Sequence, residues 1–381
     1  MESPTTEAAP DTTRYREARD RALAWLVARQ HHEAGDDRGA WGVDAPMVGF
    51  TALALTAIAK GDAVDRYPEA VQGGVDYLLR HRRPNGAIYN VEMGNANYMT
   101  SCAIMALVAL DRADLGDAIR QAATAVASGQ VMDPTDLRNY GGFGYEPAAG
   151  ETREHPVDLG NTAFALDALH AAEEAGYFSP DRERMRAAES FLTRLQNRSE
   201  SNPLSPEVRG YGDDGGFMYR VGESKAAETT DEQGRRVLPS YGSMTYEGLL
   251  SFLYAGVDKD DARVLGALGW IRDHYTTDEN PGLSDRHNRD LGQQGLYYYL
   301  HAFSKAHLAY GHGAVVTPDG VSHDWAAEMG DALLALQQPD GYWKNDHSPR
   351  WMEGDTTYAT SLALLALQNS VTGLERRGAR R

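Results

Sequence analysis

Cysteine is nearly absent: Cys102 stands alone in 381 residues. One thiol can form no disulfide within the chain and no thiolate metal cluster. Basic residues are also short, with 37 Lys and Arg against 55 Asp and Glu and a net charge of −18. That balance argues against nucleic acid, whose binders present basic faces to phosphates. No run of about 18 apolar residues occurs, so no transmembrane helix is expected, while peripheral contact with a membrane surface stays open. The opening MESPTTEAAPDTT lacks the apolar stretch of a signal peptide. A cytoplasmic location is the expectation, with a mature exported domain as the alternative. Residues 1–13 read as a disordered leader, and 371–381, with its RRGARR, as a flexible tail.

What is present is helical and periodic. The apolar fraction is 42%, enough for a real core. Ala and Leu outweigh Val and Ile, which leans to helix. The stretch LLALQQPDGYWKNDHSPRWMEGDTTYATSLALLALQ (333–368) begins and ends on the same phrase. Its parts are an amphipathic helix, a turn with an aromatic, and a helix apolar nearly all round. The unit recurs six times. ALAWLVARQ, DDRGAWG and VGFTALALTAIAK form the first. VDYLLRHRRPNGAIYN precedes NYMTSCAIMALVALD, and AATAVASGQ precedes YGGFGY and DLGNTAFALDALHAA. AESFLTRLQ, GDDGGFMYR and YGSMTYEGLLSFLYAG form the fourth. The fifth, LGWIRDHYT with GQQGLYYYLHAFSKAHLAYG, is the most degenerate.

First helices carry charge on one face (Arg21, Arg29, Asp76, Arg80) and so face water. Second helices are apolar on every side and must be buried. Ala359, Ala363 and Ala366 allow close helix approach. A stacked array needs polar ends, which neither terminal unit shows. Six pairs closing on themselves meet the need instead. The expected fold is all-α, a single (α/α)6 toroid over 14–370. Asp340-Gly341 suits a tight turn, and Trp343 offers apolar area to the neighbouring unit.

LLALQQPDGYW resembles the QW repeat of squalene–hopene cyclases. The chain over about 20–370 resembles the prenyltransferase and squalene oxidase repeat superfamily, whose members include class II terpene cyclases and protein prenyltransferase β subunits. The resemblance implies the (α/α)6 barrel; it implies function only weakly. The zinc site of the prenyltransferases has no counterpart: GGFMYR through PSYGSMTYEG holds no Cys, and DTTYATSL stands where the family has His. Cys102 reads as a small buried thiol. The DDxxD of class I synthases is absent, since Asp36-Asp37, Asp213-Asp214 and Asp260-Asp261 sit in turns. The scattered histidines, His301 and His307 among them, read as surface or capping residues. Gly242-Ser243-Met244 lacks a GxSxG frame. No metal and no cofactor is expected.

Class II cyclases, by the same resemblance, protonate substrate with the middle Asp of DxDDT. Glu353-Gly354-Asp355-Thr356-Thr357 and Asp158-Leu159-Gly160-Asn161-Thr162 look like remnants. Asp355 becomes the candidate acid, Glu353 its partner, and Asp158 the next choice. The competing reading is helix capping, where the dipole would lower the carboxyl pKa. In a toroid the inner-helix N-termini converge on one mouth. That gathers Asn97, Tyr98, Asn161, Tyr241, Tyr246, Gln294, Tyr297, Tyr298, Trp351 and Tyr358 as a ligand wall, with Asn95, His155, Ser243 and Gln293 nearby. Three functions stay open: an isoprenoid-binding protein or terpene cyclase-like enzyme of isomerase or lyase type, a carbohydrate-active hydrolase or lyase, and a non-catalytic binding or scaffold protein. The partner is a small molecule, isoprenoid or glycan; the oligomeric state is open.

Overall fold

The structure, a computed structural model, describes residues 11–43, 45, 47–146, 157–284 and 288–379. Six helix pairs follow in order. They are α1 (Thr13–Val27) with α2 (Val48–Lys60), α3 (Pro68–Arg80) with α4 (Ala96–Ala109), and α5 (Gly116–Ser128) with α6 (Leu159–Glu174). The fourth pair is α7 (Arg182–Leu195) and, past a one-turn α8 (Pro206–Arg209), α9 (Gly242–Tyr254). The last two are α10 (Ala262–Asp273) with α11 (Leu296–Tyr310), and α12 (Trp325–Leu336) with α13 (Thr356–Ala379). Two small antiparallel hairpins decorate the loops: β1 (Thr229–Thr230) with β2 (Arg236–Val237), and β3 (Val315–Val316) with β4 (Ser322–His323).

The second helix of each pair lies inside. Helix α2 packs on α4, α4 on α6, α6 on α9, α9 on α11, α11 on α13, and α13 returns to α2. The ring is closed, and the chain is an (α/α)6 toroid. Every residue of α2 from Val48 to Ile58 is buried, as an all-round apolar helix requires. The outer helices bury one stripe, as α3 does with Ala70, Val71, Gly74, Val75, Tyr77 and Leu78. Arg21, Arg29, Asp76 and Arg80 are exposed.

Two kinds of hydrogen bond repeat around the ring. Inside a unit, a threonine one turn into the inner helix accepts the N–H of the turn residue before it. Thr51, Thr100, Thr162, Thr245 and Thr360 accept from Trp41, Ile88, Phe143, Phe217 and Trp343 at 3.0–3.1 Å. The degenerate fifth unit has Tyr299 there, whose hydroxyl donates to the Thr276 carbonyl. Between units, a glutamine ending the outer helix donates to its own turn and to the next outer helix. Gln30 joins Gly39 to Ala70, Gln130 joins Gly141 to Arg184, and Gln196 joins Gly215 to Arg263. Gln337 joins Gly341 to Ala18 and so ties the last unit to the first, both bonds at 2.9 Å. The turn glycine is forced. Gly341 has φ +97°, and a Cβ there would run into Arg21 of α1. Trp343 works within its own unit, its indole N–H donating to the Leu333 carbonyl at 2.8 Å.

Three expectations change. Residues 371–379 are no loose tail: α13 continues through them and buries Val371 and Leu374 against the core. Helix α1 already begins at Thr13, while 1–10 of the expected leader lie outside the described residues. His301 and His307 are buried on α11 rather than at the surface. Among the described residues no helix is long and apolar enough to cross a membrane.

The between-unit glutamines set the first prediction. Gln196 is fully buried, so Gln196→Leu leaves the buried Gly215 carbonyl without a donor and removes the bond to the Arg263 carbonyl of the next outer helix. Urea unfolding should show a loss of about 3 kcal/mol. The half-buried Gln337→Leu should lose less, because water can replace its bonds.

Candidate functional site

Six inner helices starting at one mouth leave many N–H groups without partners. The next unit's turn supplies the acceptor. Val48 donates to Asn90 Oδ1, Asn97 to the Tyr145 carbonyl, Leu159 to the Tyr219 carbonyl, Ser243 to Asn280 Oδ1, and Tyr298 to Glu353 Oε1, all at 2.8–2.9 Å. At the seam the direction reverses: the Val43 N–H of the first unit donates to Asp355 Oδ2 at 2.7 Å.

This pattern decides the candidate acids. Asp355 Oδ1 also accepts from the N–H of Thr357 at 2.8 Å and of Tyr358 at 3.1 Å, and from the Thr357 hydroxyl. It is the cap of α13, and it is not on the cavity wall. Glu353 is fully buried, takes the Tyr298 N–H, and accepts from Asn345 Nδ2 at 2.7 Å. It thereby caps α11. Burial pushes its carboxyl up to about 7, against the pull of Asn345 and the α11 amides.

Asp158 does reach the cavity and is 1% exposed. It caps α6 through the Asn161 N–H at 2.8 Å, and accepts from Asn161 Nδ2 at 3.0 Å and the Tyr219 hydroxyl at 2.9 Å. Desolvation raises its pKa, while these three donors favour the carboxylate. The Tyr219 hydroxyl also meets that of Tyr145 at 3.1 Å, and Lys225 Nζ sits 4.3 Å above the Tyr219 ring.

The cavity itself holds about 320 Å³. Its walls are aromatic: Tyr98, Phe164, Tyr219, Tyr241, Tyr298, Trp351 and Tyr358, with Met244 and Met352. Asn95, Asn161, Ser243, Lys225 and Asp158 are the polar exceptions. Phe164 meets Tyr98 edge-on at 4.7 Å and stacks on Tyr298 at 6.1 Å. At the rim, Trp351 and Met352 take φ of 55° and 70°, a costly backbone for such side chains. The Trp351 ring lies over Gly295, where a Cβ would sit 2.7 Å from it.

Expected wall residues divide by helix phase. Tyr98, Asn161, Tyr241, Tyr298, Trp351 and Tyr358 line the cavity. Tyr246 does not: it faces outward to Tyr299, Phe303 and His307. Tyr297 points to the sixth turn, donating to the Lys344 carbonyl at 3.0 Å. Asn97 is buried between helices, donating to the Asn161 carbonyl at 3.0 Å. Gln294 stays off the wall, accepting from Arg350 at 2.6 Å. His155 lies outside the described residues.

Sequence reasoning missed Phe164, Tyr219, Lys225, Met244 and Met352. Phe164 lies three residues beyond Asn161 on the same face of α6, a signal that was readable. It also missed Glu247, in the middle of α9 and 6% exposed. Burial pushes the Glu247 carboxyl up to about 7. No periodicity marks a lone glutamate in an apolar helix as luminal rather than surface.

No protein-family model and no curated protein matches this sequence. Solved structures do. The chain is similar to the type II terpene cyclase MstE from Scytonema, at 15% identity and TM-score 0.55, over 94% of this chain and 99% of that one. It is similar to a family 76 glycoside hydrolase from a bovine Bacteroides thetaiotaomicron strain, at 10% identity and TM-score 0.58, over 94% and 78%. It is also similar to the α-1,6-mannanase GH76A of Salegentibacter sp. HEL1_6, solved with α-1,6-mannotriose, at 11% identity and TM-score 0.56, over 94% and 99%. At such identities the likeness is of fold alone.

Two outcomes follow from the caps. Asp355→Ala should lower unfolding free energy by about 1–2 kcal/mol in urea and leave ligand affinity of the cavity unchanged. Glu353 has a folded pKa near 7, above its ordinary 4.5. Folding therefore takes up a proton, and its contribution to stability is lost as pH rises from about 4.5 to 7. Unfolding measured across that window should fall with pH, and Glu353→Gln should flatten part of the fall.

Proposed function

We propose that the cavity binds a short isoprenoid chain and that the protein is a terpene cyclase-like enzyme that starts reaction by protonating an alkene. The observation that carries this is the wall: seven aromatic side chains and two methionines lining one cavity. Aromatic faces stabilise a passing carbocation through their quadrupoles. A wall with few polar groups keeps water from quenching it early. The volume of about 320 Å³ is at the small end of ligand pockets, which suits a short isoprenoid better than a triterpene. The fold shared with a cyclase solved with geranylgeranyl dihydroxybenzoate supports the same reading. A glycan is less well served. Glycoside hydrolysis uses two carboxyls across the sugar, and among the described lining residues Asp158 is the only one.

The protein would be incubated with farnesyl and geranylgeranyl diphosphates, squalene and oxidosqualene, and the extracts resolved by gas chromatography–mass spectrometry. Expected are cyclised products from the shorter chains and none from squalene. Quenching of tryptophan fluorescence should report farnesol binding, weakened about tenfold in Phe164→Ala, or about 1.4 kcal/mol. Binding of mannose oligomers with no isoprenoid binding would reverse the assignment. Isoprenoid binding without any product would leave a carrier or scaffold.

A further inference from the structure

We propose that an aromatic bar of Tyr98, Phe164 and Tyr298, backed by the Asp167–Lys305 ion pair, is the floor of the cavity and limits its ligand to a chain of farnesol length. The proposal rests on the isoprenoid reading and names the residues that set its substrate size. The inner helices follow one another around the ring as α2, α4, α6, α9, α11 and α13. Helices α4 and α11 therefore stand opposite each other. Phe164 of α6 meets Tyr98 of α4 edge-on at 4.7 Å and stacks on Tyr298 of α11 at 6.1 Å, with 23° between the ring planes. The three rings cross the lumen from side to side. They also mark its depth. On each inner helix that lines the cavity, the lining ends at Tyr98, Phe164, Met244, Tyr298 or Tyr358, and no residue further along the helix reaches it.

The bar is braced by its neighbours. Tyr98 leans on α2 at Gly49, where a Cβ would sit 2.7 Å from its ring. Tyr358 of α13 packs on Phe50 of α2 at 4.9 Å and completes the aromatic layer on that side. The ion pair comes next. Asp167 is three residues past Phe164 and Lys305 seven past Tyr298, so each continues the same helix face further from the mouth. Their ion pair joins α6 to α11 with α9 between them in the ring, as the Phe164–Tyr298 stack does. Neither residue lines the cavity, and each side chain is only 13% exposed.

The two layers stop a chain in different ways. The rings block it by bulk. A tail that passed them would then part the ion pair, leaving two buried charges uncompensated against hydrocarbon. The polar lining fixes which end of the ligand points down. Asn95 and Asp158 cap α4 and α6, and Ser243 is the second residue of α9, so these groups sit at the mouth end of their helices. The polar head of a ligand belongs there, and its apolar tail ends on Phe164.

The test is a chain-length series on the full chain, with geraniol, farnesol and geranylgeraniol as probes and tryptophan fluorescence as the readout. Wild type should bind farnesol about tenfold more tightly than geraniol, because the added isoprene unit is buried. It should bind geranylgeraniol no more tightly than farnesol, because the further unit stays at the rim. Phe164→Ala, which weakens farnesol binding, should hold geranylgeraniol at least as tightly as wild type does, moving the preference about tenfold toward the longer chain. Met244→Ala, on the wall but outside the bar, should weaken both alcohols alike. Adding Asp167→Leu with Lys305→Met to Phe164→Ala exchanges the pair for apolar bulk and should tighten geranylgeraniol but not farnesol. Wild type that gains about tenfold from farnesol to geranylgeraniol, or an unchanged preference in Phe164→Ala, overturns the floor and leaves the cavity assignment standing. No gain on removing the ion pair overturns its share of the floor. Failure of wild type to bind any of the three alcohols overturns the cavity assignment and the floor with it.

Discussion

The closure of the ring is carried by hydrogen bonds between units. Gln337 reaches from the sixth unit to the Ala18 carbonyl of the first, as Gln30, Gln130 and Gln196 reach between units inside the chain. Because that bond is the same as the internal ones, the last unit meets the first as one inner neighbour meets another. No end needs covering, and no terminal helix needs a polar outer face. Everything else follows from this geometry. Closure sets all six inner helices in parallel, and parallel helices bring six N-termini to one mouth.

That convergence has an electrostatic consequence. Six helix N-termini place partial positive charge and unpaired N–H groups around a small opening. Acceptors must gather there, and they do: Asn90, Asp158, Asn280, Glu353 and Asp355. An acidic knot at the mouth thus has a structural cause before it has a chemical one. The same charge favours a carboxylate, yet at Asp158 and Glu353 burial outweighs it and pushes the carboxyl up. Halfway along an inner helix there are no helix ends, and burial is the largest influence on a carboxyl, ahead of the neighbouring Lys305 and Asp167 charges. Glu247 occupies that place, and its protonation follows desolvation rather than the helix dipole.

The fold does not choose the ligand. The same toroid underlies a terpene cyclase and α-mannanases. What differs from chain to chain is the lining. Here it is Phe164, Tyr298, Tyr98, Trp351 and Met244 rather than opposed carboxylates. The strained Trp351–Met352 backbone at the rim shows that the aromatic wall is held in place at some cost in conformational energy.

The sixfold pattern of amphipathic and all-apolar helices was readable because helix periodicity is local. So was the aromatic character of the mouth, since turn and early-helix positions recur in each unit. The assignment within that mouth was not. Tyr297, Tyr298 and Tyr299 look equivalent in sequence, but successive residues turn by about 100°, and only Tyr298 faces the cavity. Asp355 resembled an acid because its neighbours resembled a motif, and its four donors, one from Val43 at the far end of the chain, appear only once the ring closes. Glu247 carried no sequence signal, since a glutamate's burial depends on which helices surround it. Composition and period determined the toroid; the packing of its helices against one another decided which carboxyls are caps and buried Glu247 in the middle of an inner helix.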